Sequence, residues 1–201
     1  MKPFLTVLIQ GYAHTDSAGI TYASPTTTLL QSEGKNFLVD PGCNSTLLLE
    51  QLTNLHLQPT DIAAIFLSHY HPDHFLNIRL FPKTPIYDGS TEWKRDAEIP
   101  FLDYWLFPEF KIMATPGHAT EQYSLLVDTG NLALVCIAQD VFWWEDGTQK
   151  SDTVDDLLAG KDPFANDEVA LLESRKLVLN SGAQWIIPGH GKMFRNPLVG
   201  S

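Results

Sequence analysis

An α+β fold, with sheets inside and helices outside, is predicted by three features of the chain. Nine short β-branched or aromatic runs, bounded by Gly, Pro, Asn or Asp, outnumber the segments with helical periodicity. The two kinds alternate without an internal repeat or a low-complexity linker. Hairpin signals between neighbouring runs argue against a purely parallel sheet.

The first strand is expected over Phe4–Gly11, an apolar stretch too short and too branched for the core of a secretory leader. Thr26–Gln31 and Asn36–Val39 follow as strands joined by the turn Ser32-Glu33-Gly34-Lys35. Asn44 can cap a helix over Ser45–Leu57, where Leu48, Leu52 and Leu55 share one face. Ile62–Leu67 is the next strand. Pro72 then favours a short helix at His71-Pro-Asp-His74, because proline suits a first helical turn. After a strand at Pro85–Tyr87, the segment Ser90–Pro108, rich in Trp, Tyr, Asp and Pro, reads as a long surface loop or flap. Phe110–Ala114, Ser124–Val127 and Leu132–Ile137 are strands, the last two forming a hairpin around Asp128-Thr129-Gly130-Asn131. Trp143–Asp167 is acidic, contains Gly147, Gly160 and Pro163, and reads as a second loop. A helix over Asp167–Ser181 would gather Val169, Leu172, Lys176 and Leu179, with Gly182 as its stop. Trp185–Ile187 is the last strand.

With 201 residues, 44% hydrophobic and 18% charged, the chain can bury a sizeable core, and a single domain over 1–201 is expected. Thirteen basic residues stand against 24 acidic ones, a net charge of −11, which disfavours long nucleic acid and anionic membrane as partners. No apolar run approaches the roughly 20 residues of a membrane span. Cys136 lies in an apolar run and reads as a core residue, while Cys43 sits in a turn with no assigned role. Without a disulfide framework the expected compartment is the cytoplasm.

Five of the seven histidines stand just past the C-terminal ends of expected strands. His69, His71 and His74 are packed with Asp73 into His69-Tyr-His-Pro-Asp-His74, directly after Ile62–Leu67. His118 ends Thr115-Pro-Gly-His118, His190 lies in Pro188-Gly-His-Gly191, and Asp140 follows Leu132–Ile137. A histidine in a glycine turn is usually only part of the turn, so neither His118 nor His190 means much alone. His14 and His56 have no such setting and are expected at the surface or partly buried. Four ligand-type side chains in six residues are different, because burying them is costly unless they are paired or metal-bound. Imidazole mixed with carboxylate suits zinc, and also iron or manganese.

These motifs resemble the metallo-β-lactamase-fold superfamily over nearly the whole chain. The match runs through Phe37-Leu-Val-Asp-Pro-Gly42, Leu67-Ser-His-Tyr-His-Pro-Asp-His74, Thr115-Pro-Gly-His118, Gln139-Asp140 and Ile187-Pro-Gly-His-Gly191. Gln139-Asp-Val-Phe142, the acidic loop and Ser174-Arg-Lys-Leu-Val178 look most like the metallo-β-lactamase domain-containing protein 1 group. The resemblance implies a four-layer αβ/βα sandwich, two mixed β-sheets flanked by helices, with a dinuclear metal site at one edge. It implies that His69, His71 and His118 hold one ion, that Asp73, His74 and His190 hold the second, and that Asp140 bridges them. Asp40 would orient a ligand from behind. Two positions depart from the family pattern. Phe75-Leu-Asn77 replaces a glycine-containing stretch, which leaves the packing of the following helix open, and the bulk of Tyr70 is expected to narrow the mouth.

The implied activity is metal-dependent hydrolysis. Two divalent ions, Zn²⁺ first and Mn²⁺ or Fe as alternatives, bring the pKa of a bridging water to about 7 and polarise the oxygen under attack. Asp73 is the implied catalytic residue, orienting the hydroxide and passing a proton to the leaving group. The expected substrate is a small-molecule ester, thioester, amide or lactam. A phosphodiester is the alternative, since the group most resembled is linked to RNA cleavage; Lys83, Lys94, Arg95 and Lys111 could form a patch for it. A β-lactamase and a mononuclear-iron dioxygenase rank lower. A flavodiiron oxygen reductase would carry glutamate at position 71, and a glyoxalase II would add a helical domain where 11 residues follow His190. A binding module that had lost catalysis would be expected to lack ligands, and all seven are present. Trp93, Phe101–Phe107 and Phe142-Trp-Trp144 stand either beside the metals or over a sheet edge, and none is assigned to substrate.

Overall fold

The computed structural model describes residues 1–100 and 110–200. Its strands are β1 (Phe4–Ile9), β2 (Tyr12–Thr15), β3 (Thr21–Ser24), β4 (Thr27–Ser32), β5 (Lys35–Val39), β6 (Ile62–Phe66) and β7 (Ile86–Tyr87). They continue as β8 (Thr91–Lys94), β9 (Ala97–Pro100), β10 (Phe110–Ala114), β11 (Tyr123–Thr129), β12 (Ala133–Gln139), β13 (Trp185–Pro188) and β14 (Phe194–Arg195). The helices are α1 (Ser45–Asn54), α2 (Pro72–Phe75), α3 (Val154–Ala159) and α4 (Glu168–Leu179), with 3-10 turns at Pro59–Asp61 and Leu76–Leu80.

Two mixed sheets and a hairpin result. One sheet has the order β1-β4-β5-β6-β7-β8-β9, the other β10-β11-β12-β13-β14, and β2 pairs with β3. Neighbours β5 and β6 are parallel, as are β12 and β13. The β5–β6 crossover carries α1, the crossover of the likewise parallel β6 and β7 carries α2 and the 3-10 turn after it, and the β12–β13 crossover carries α3 and α4.

Side-chain alternation explains the layering, since successive strand residues face opposite ways. Leu30, Phe37, Val39, Ala64 and Phe66 point inward from the first sheet and meet Leu125, Val127, Val135, Ile137 and Ile187 of the second. Their neighbours Leu29, Leu38 and Ile65 point outward onto Leu48 and Leu52 of α1. On the far side, Cys136, Ala138 and Ile186 meet Leu157 of α3 and Leu171, Val178 and Leu179 of α4. The result is the expected α+β four-layer sandwich. Strands buried on both faces read as continuous apolar runs, which is why they were visible without alternation.

Several boundaries differ from expectation. The run expected over Phe4–Gly11 ends at Ile9, because Gly11 is where the backbone turns close against Gly189; a Cβ there would sit 1.8 Å from the Gly189 carbonyl oxygen. The chain then forms the β2–β3 hairpin, whose residues are mostly polar and of which Ala13 and Ser24 alone are buried. The expected loop Ser90–Pro108 contains β8 and β9, while the part of it from 101 to 108, with the Phe101–Phe107 aromatics, lies outside the described residues. The expected loop Trp143–Asp167 contains α3, capped by Thr153 and begun with Asp155 and Asp156, which complement its N-terminal dipole. In α4 the buried face is Leu171, Arg175, Val178 and Leu179, whereas Val169 is 74% exposed. In α1 Leu48 and Leu52 are buried, but the helix stops at Asn54 and Leu55 is exposed. The second hairpin turns one step later than expected, with Thr129 paired to Ala133.

Candidate metal centre

The parallel pairings put the C-terminal ends of β5 and β6 on one edge and those of β12 and β13 on another. Two antiparallel steps, β12 to β11 and β11 to β10, return β10 to the same direction as β12. Asp40 follows β5, Ser68 and His69 follow β6, His118 lies in the loop between β10 and β11, Asp140 follows β12 and His190 follows β13. His71 precedes the single turn of α2, which carries Asp73 and His74. Asn77 secures that turn by donating to the Pro41 carbonyl with its side chain and to the Gly42 carbonyl with its backbone. These two bonds set the packing of the segment after His74, where Phe75-Leu-Asn77 stands.

Hydrogen bonds to backbone carbonyls join the two edges. Thr26 N–H donates to Gly189 O at 2.6 Å, Tyr123 N–H to Ser68 O at 3.0 Å, and the Gln139 amide to Thr26 O at 3.0 Å. Asp40 and Gln139 adopt left-handed backbone angles, φ 46° and 49°, which are uncommon outside glycine and cluster at functional sites. Gly189 leaves room for a carboxylate: a Cβ there would lie 1.6 Å from Oδ1 of Asp140.

All seven singled-out side chains meet at this edge. His118 Nε2 lies 2.8 Å from His71 Nδ1 and 3.1 Å from Asp140 Oδ2. Asp140 Oδ2 is also 3.9 Å from His69 Nε2 and 3.4 Å from His74 Nε2. Asp73 Oδ2 is 3.3 Å from His190 Nε2 and 3.8 Å from His74 Nε2, and Asp140 Oδ1 lies 3.8 Å from His190 Nε2. Two sets, His69 with His71, His118 and Asp140, and Asp73 with His74 and His190, each bring their ligand atoms within 4.8 Å of one another.

The outer hydrogen bonds decide which nitrogens face inward. A carbonyl can only accept, so His190 Nδ1 donates to Tyr12 O at 2.9 Å and its Nε2 faces the cluster. His74 Nδ1 meets Asp40 Oδ2 at 2.8 Å, and His118 Nδ1 meets Asp162 Oδ2 at 2.6 Å. Ser68 Oγ donates to Asp40 Oδ2 at 2.6 Å, so it accepts from His69 Nδ1 at 2.9 Å. Four imidazoles therefore present an Nε2 lone pair to two carboxylates. Among the described residues, the buried atoms His69 Nε2, His74 Nε2 and Asp140 Oδ1 have no hydrogen-bond partner of good geometry. A buried set made only of acceptors is unfavourable unless cations or protons sit within it, and its N/O chemistry fits a divalent metal.

The comparisons agree with this geometry. A family model described as the metallo-beta-lactamase superfamily matches residues 21–113. Metallo-beta-lactamase domain-containing protein 1 of Xenopus laevis is 30% identical over 203 residues, covering 94% of this chain and 80% of its own length. The chain belongs to the metallo-β-lactamase superfamily. Its mouse relative of the same name is 28% identical over 94% of this chain and 73% of its own length. The fold matches that of AidC, described as a dizinc quorum-quenching lactonase, with TM-score 0.62, 20% identity, and coverage of 85% of this chain and 73% of that one. An N-acyl homoserine lactone lactonase superposes with TM-score 0.63, 22% identity, and coverage of 94% and 91%. By family and by its cluster the chain is a metal-dependent hydrolase.

In this metallo-β-lactamase-superfamily site, the buried imidazoles and carboxylates shift one another's pKa values. Burial pulls the His118 pKa down, but Asp140 and Asp162 outweigh it and raise it to about 9. Burial also opposes protonation of His74, yet Asp140 and Asp40 lift it well above its usual range. His69, more deeply desolvated than compensated, is pushed well below, and His71 is lowered for the same reason. Asp73 and Asp140 remain carboxylates, since the imidazoles around them outweigh burial.

A cavity of about 570 Å³ opens in front of the cluster. His71, Asp73, His118, Asp140 and His190 form its floor, and Ala13, Ala23, Leu76, Trp143 and Phe164 are among its walls. Tyr70 does not line this cavity; its hydroxyl donates to Asp88, which turns it away from the mouth. Lys83, Lys94, Arg95 and Lys111 do not line it either. His14 and His56 are exposed, and Cys136 is buried in the core.

Sequence reasoning missed Asp162, Ser68 and the Tyr12 carbonyl, each of which sets an imidazole. Ser68 precedes His69 directly, but its role depends on Asp40, 28 residues away. Trp143 packs 5.8 Å from the His190 ring and 5.5 Å from Phe164, between a floor residue and the rim.

Proposed function

We propose that the chain hydrolyses an ester, thioester or amide bond of a small molecule, using two divalent ions, zinc first, with manganese or iron as alternatives. His69, His71 and His118 would hold one ion, Asp73, His74 and His190 would hold the other, and Asp140 would serve both. The observation that carries this reading is the inward set of lone pairs, each fixed from outside by Asp40, Ser68, Asp162 or the Tyr12 carbonyl. Such outer partners orient ligands and raise their basicity.

When bound, the ions supply an acidified water, with a pKa of about 7, and an electrophilic pull on the oxygen under attack. The chain's residues do the rest. Asp140 is almost wholly buried and stays in place, whereas the Asp73 side chain is 27% exposed and faces the cavity. Its carboxylate, ionised at neutral pH, accepts a proton from the attacking water and delivers it to the leaving group. Trp143 and the β2–β3 hairpin line the cavity where this exchange takes place. The whole of 1–201 works as one domain. Both cysteines are free, in keeping with a reducing cytoplasm.

Metal analysis tests the ligand set. The purified chain should carry close to two equivalents after zinc loading, and a chain that takes up none would overturn the assignment. Aryl ester, thioester, lactam and bis-aryl phosphodiester substrates, offered with Zn²⁺ or Mn²⁺, test the reaction. Turnover of the phosphodiester alone would replace the proposed substrate class.

A further inference from the structure

The walls of the cavity carry a preference that the metals cannot impose, because they lie beyond the reacting bond. Resting on the hydrolase reading above, we infer that the substrate is an uncharged ester or lactone bearing an apolar acyl group, which seats against Trp143, Phe164 and Leu76.

Three observations converge. The first is charge. Among the described residues no lysine or arginine lines the cavity, and its acidic lining groups are Asp73 and Asp140 on the floor. A polynucleotide or another polyanion needs cationic side chains for the phosphates flanking the one being cleaved, since those contacts supply most of its affinity. The flanks here offer none. A cationic group would be no better placed, because the two carboxylates are committed to the imidazoles around them.

The second is the apolar rim. Leu76 is 43% exposed and Phe164 is 56% exposed, both at the cavity, and large apolar side chains left open beside a catalytic floor lose little by meeting an apolar ligand. Trp143 stands edge-on to Phe164 and continues that surface down to His190. An acyl chain following this wall would bring its carbonyl to the floor.

The third is the rest of the lining. Ala13, Thr21 and Ala23 of the β2–β3 hairpin and Cys43 are small and uncharged, so the space they leave stays open. The Cys43 thiol donates to the Ala23 carbonyl, and burial pushes its pKa up, so it adds no charge. A cavity of about 570 Å³ falls within the range of small-molecule sites.

The test uses the zinc-loaded full chain and a series of 4-nitrophenyl esters, from acetate to hexanoate, beside the ester of the same length that ends in a carboxylate. kcat/KM should rise about two- to fourfold per added methylene, the gain expected from burying each one, and fall at least tenfold for the charged tail. Phe164→Ala and Leu76→Ala should each reduce the hexanoate-to-acetate ratio, a readout that tolerates a general loss of activity. A flat chain-length series, a preference for the charged tail, or an unchanged ratio in both variants would overturn the inference while leaving the hydrolase reading in place. A metal-loaded chain that turns over no ester at all would overturn the hydrolase reading itself.

Discussion

Oδ2 of Asp162 lies 2.6 Å from Nδ1 of His118, and both side chains are almost wholly buried. That pairing places the proton on the outer nitrogen and turns the Nε2 lone pair toward Asp140 and His71. The other carboxylate oxygen, Oδ1, accepts from the Phe164 backbone N–H at 2.9 Å, so one side chain fixes both a floor imidazole and the rim of the cavity. Asp162→Asn can keep an acceptor for Phe164 while removing the charge behind His118. Metal affinity should fall about 10- to 100-fold, as is usual when such an outer partner is lost, and competition with a chelating dye would measure it. Affinity unchanged from the parent would deny Asp162 this role.

Gly189 makes a separate prediction about Asp140. The space a side chain would need there is already filled by the Asp140 carboxylate. Gly189→Ala should therefore displace that group and lower bound metal from two equivalents to one or fewer, read by elemental analysis of the folded protein. Asp140→Ala should give the same loss by removing the oxygens outright. Full occupancy in both variants would mean that Asp140 does not bridge.

Much of the site was legible because its residues announce themselves by type and position: imidazoles and carboxylates at the ends of strands that are buried on both faces. The core strands were legible for a related reason, since Leu29 and Leu30, or Phe37 and Leu38, each face a different apolar layer. What stayed hidden lacks any such local mark. The β2–β3 hairpin is mostly polar with two buried residues, and α3 is six residues long with one buried leucine. Asp162 is one acid within an acidic stretch, and only the third dimension brings it to His118, 44 residues away. The buried face of α4 was misread because Arg175, a charged residue, occupies the middle of it.

Asp88 sets an expected pH dependence. It accepts from the Tyr70 hydroxyl, the Trp93 indole, and the backbone N–H groups of Ser90 and Thr91. Burial pushes its pKa up, but these donors outweigh it and hold the carboxyl below its ordinary value of 3.8. A group with a depressed folded pKa adds stability above its unfolded pKa and loses it as pH falls through the folded value. Its contribution is therefore complete at neutral pH and fades below about pH 4. Asp88→Asn should lower stability at pH 7 by about 1–3 kcal/mol and flatten the dependence in that acid range. Urea unfolding at pH 7 and at low pH would measure both, and parallel curves for parent and variant would refute the account.

Arg175 is the remaining structural link between the two carboxylates on the α4 side of the site. It is 95% buried, and its guanidinium donates through Nε to the Val141 carbonyl at 3.0 Å and through Nη1 to the Gly160 carbonyl. Val141 directly follows Asp140, and Gly160 stands two residues before Asp162. The flat fork of donors thus ties α4 to both backbone segments at once, a geometry that a lysine cannot reproduce with one ammonium. Arg175→Met should leave the buried Val141 carbonyl unpaired and cost about 1–3 kcal/mol of stability, while the Gly160 carbonyl, on an exposed residue, can turn to water. Arg175→Lys should fold more readily and expose the positioning role: metal affinity should drop several-fold while far-UV circular dichroism stays that of the parent. If the lysine variant binds metal as tightly as the parent, the guanidinium serves packing of α4 alone and has no part in aligning Asp140 with His118.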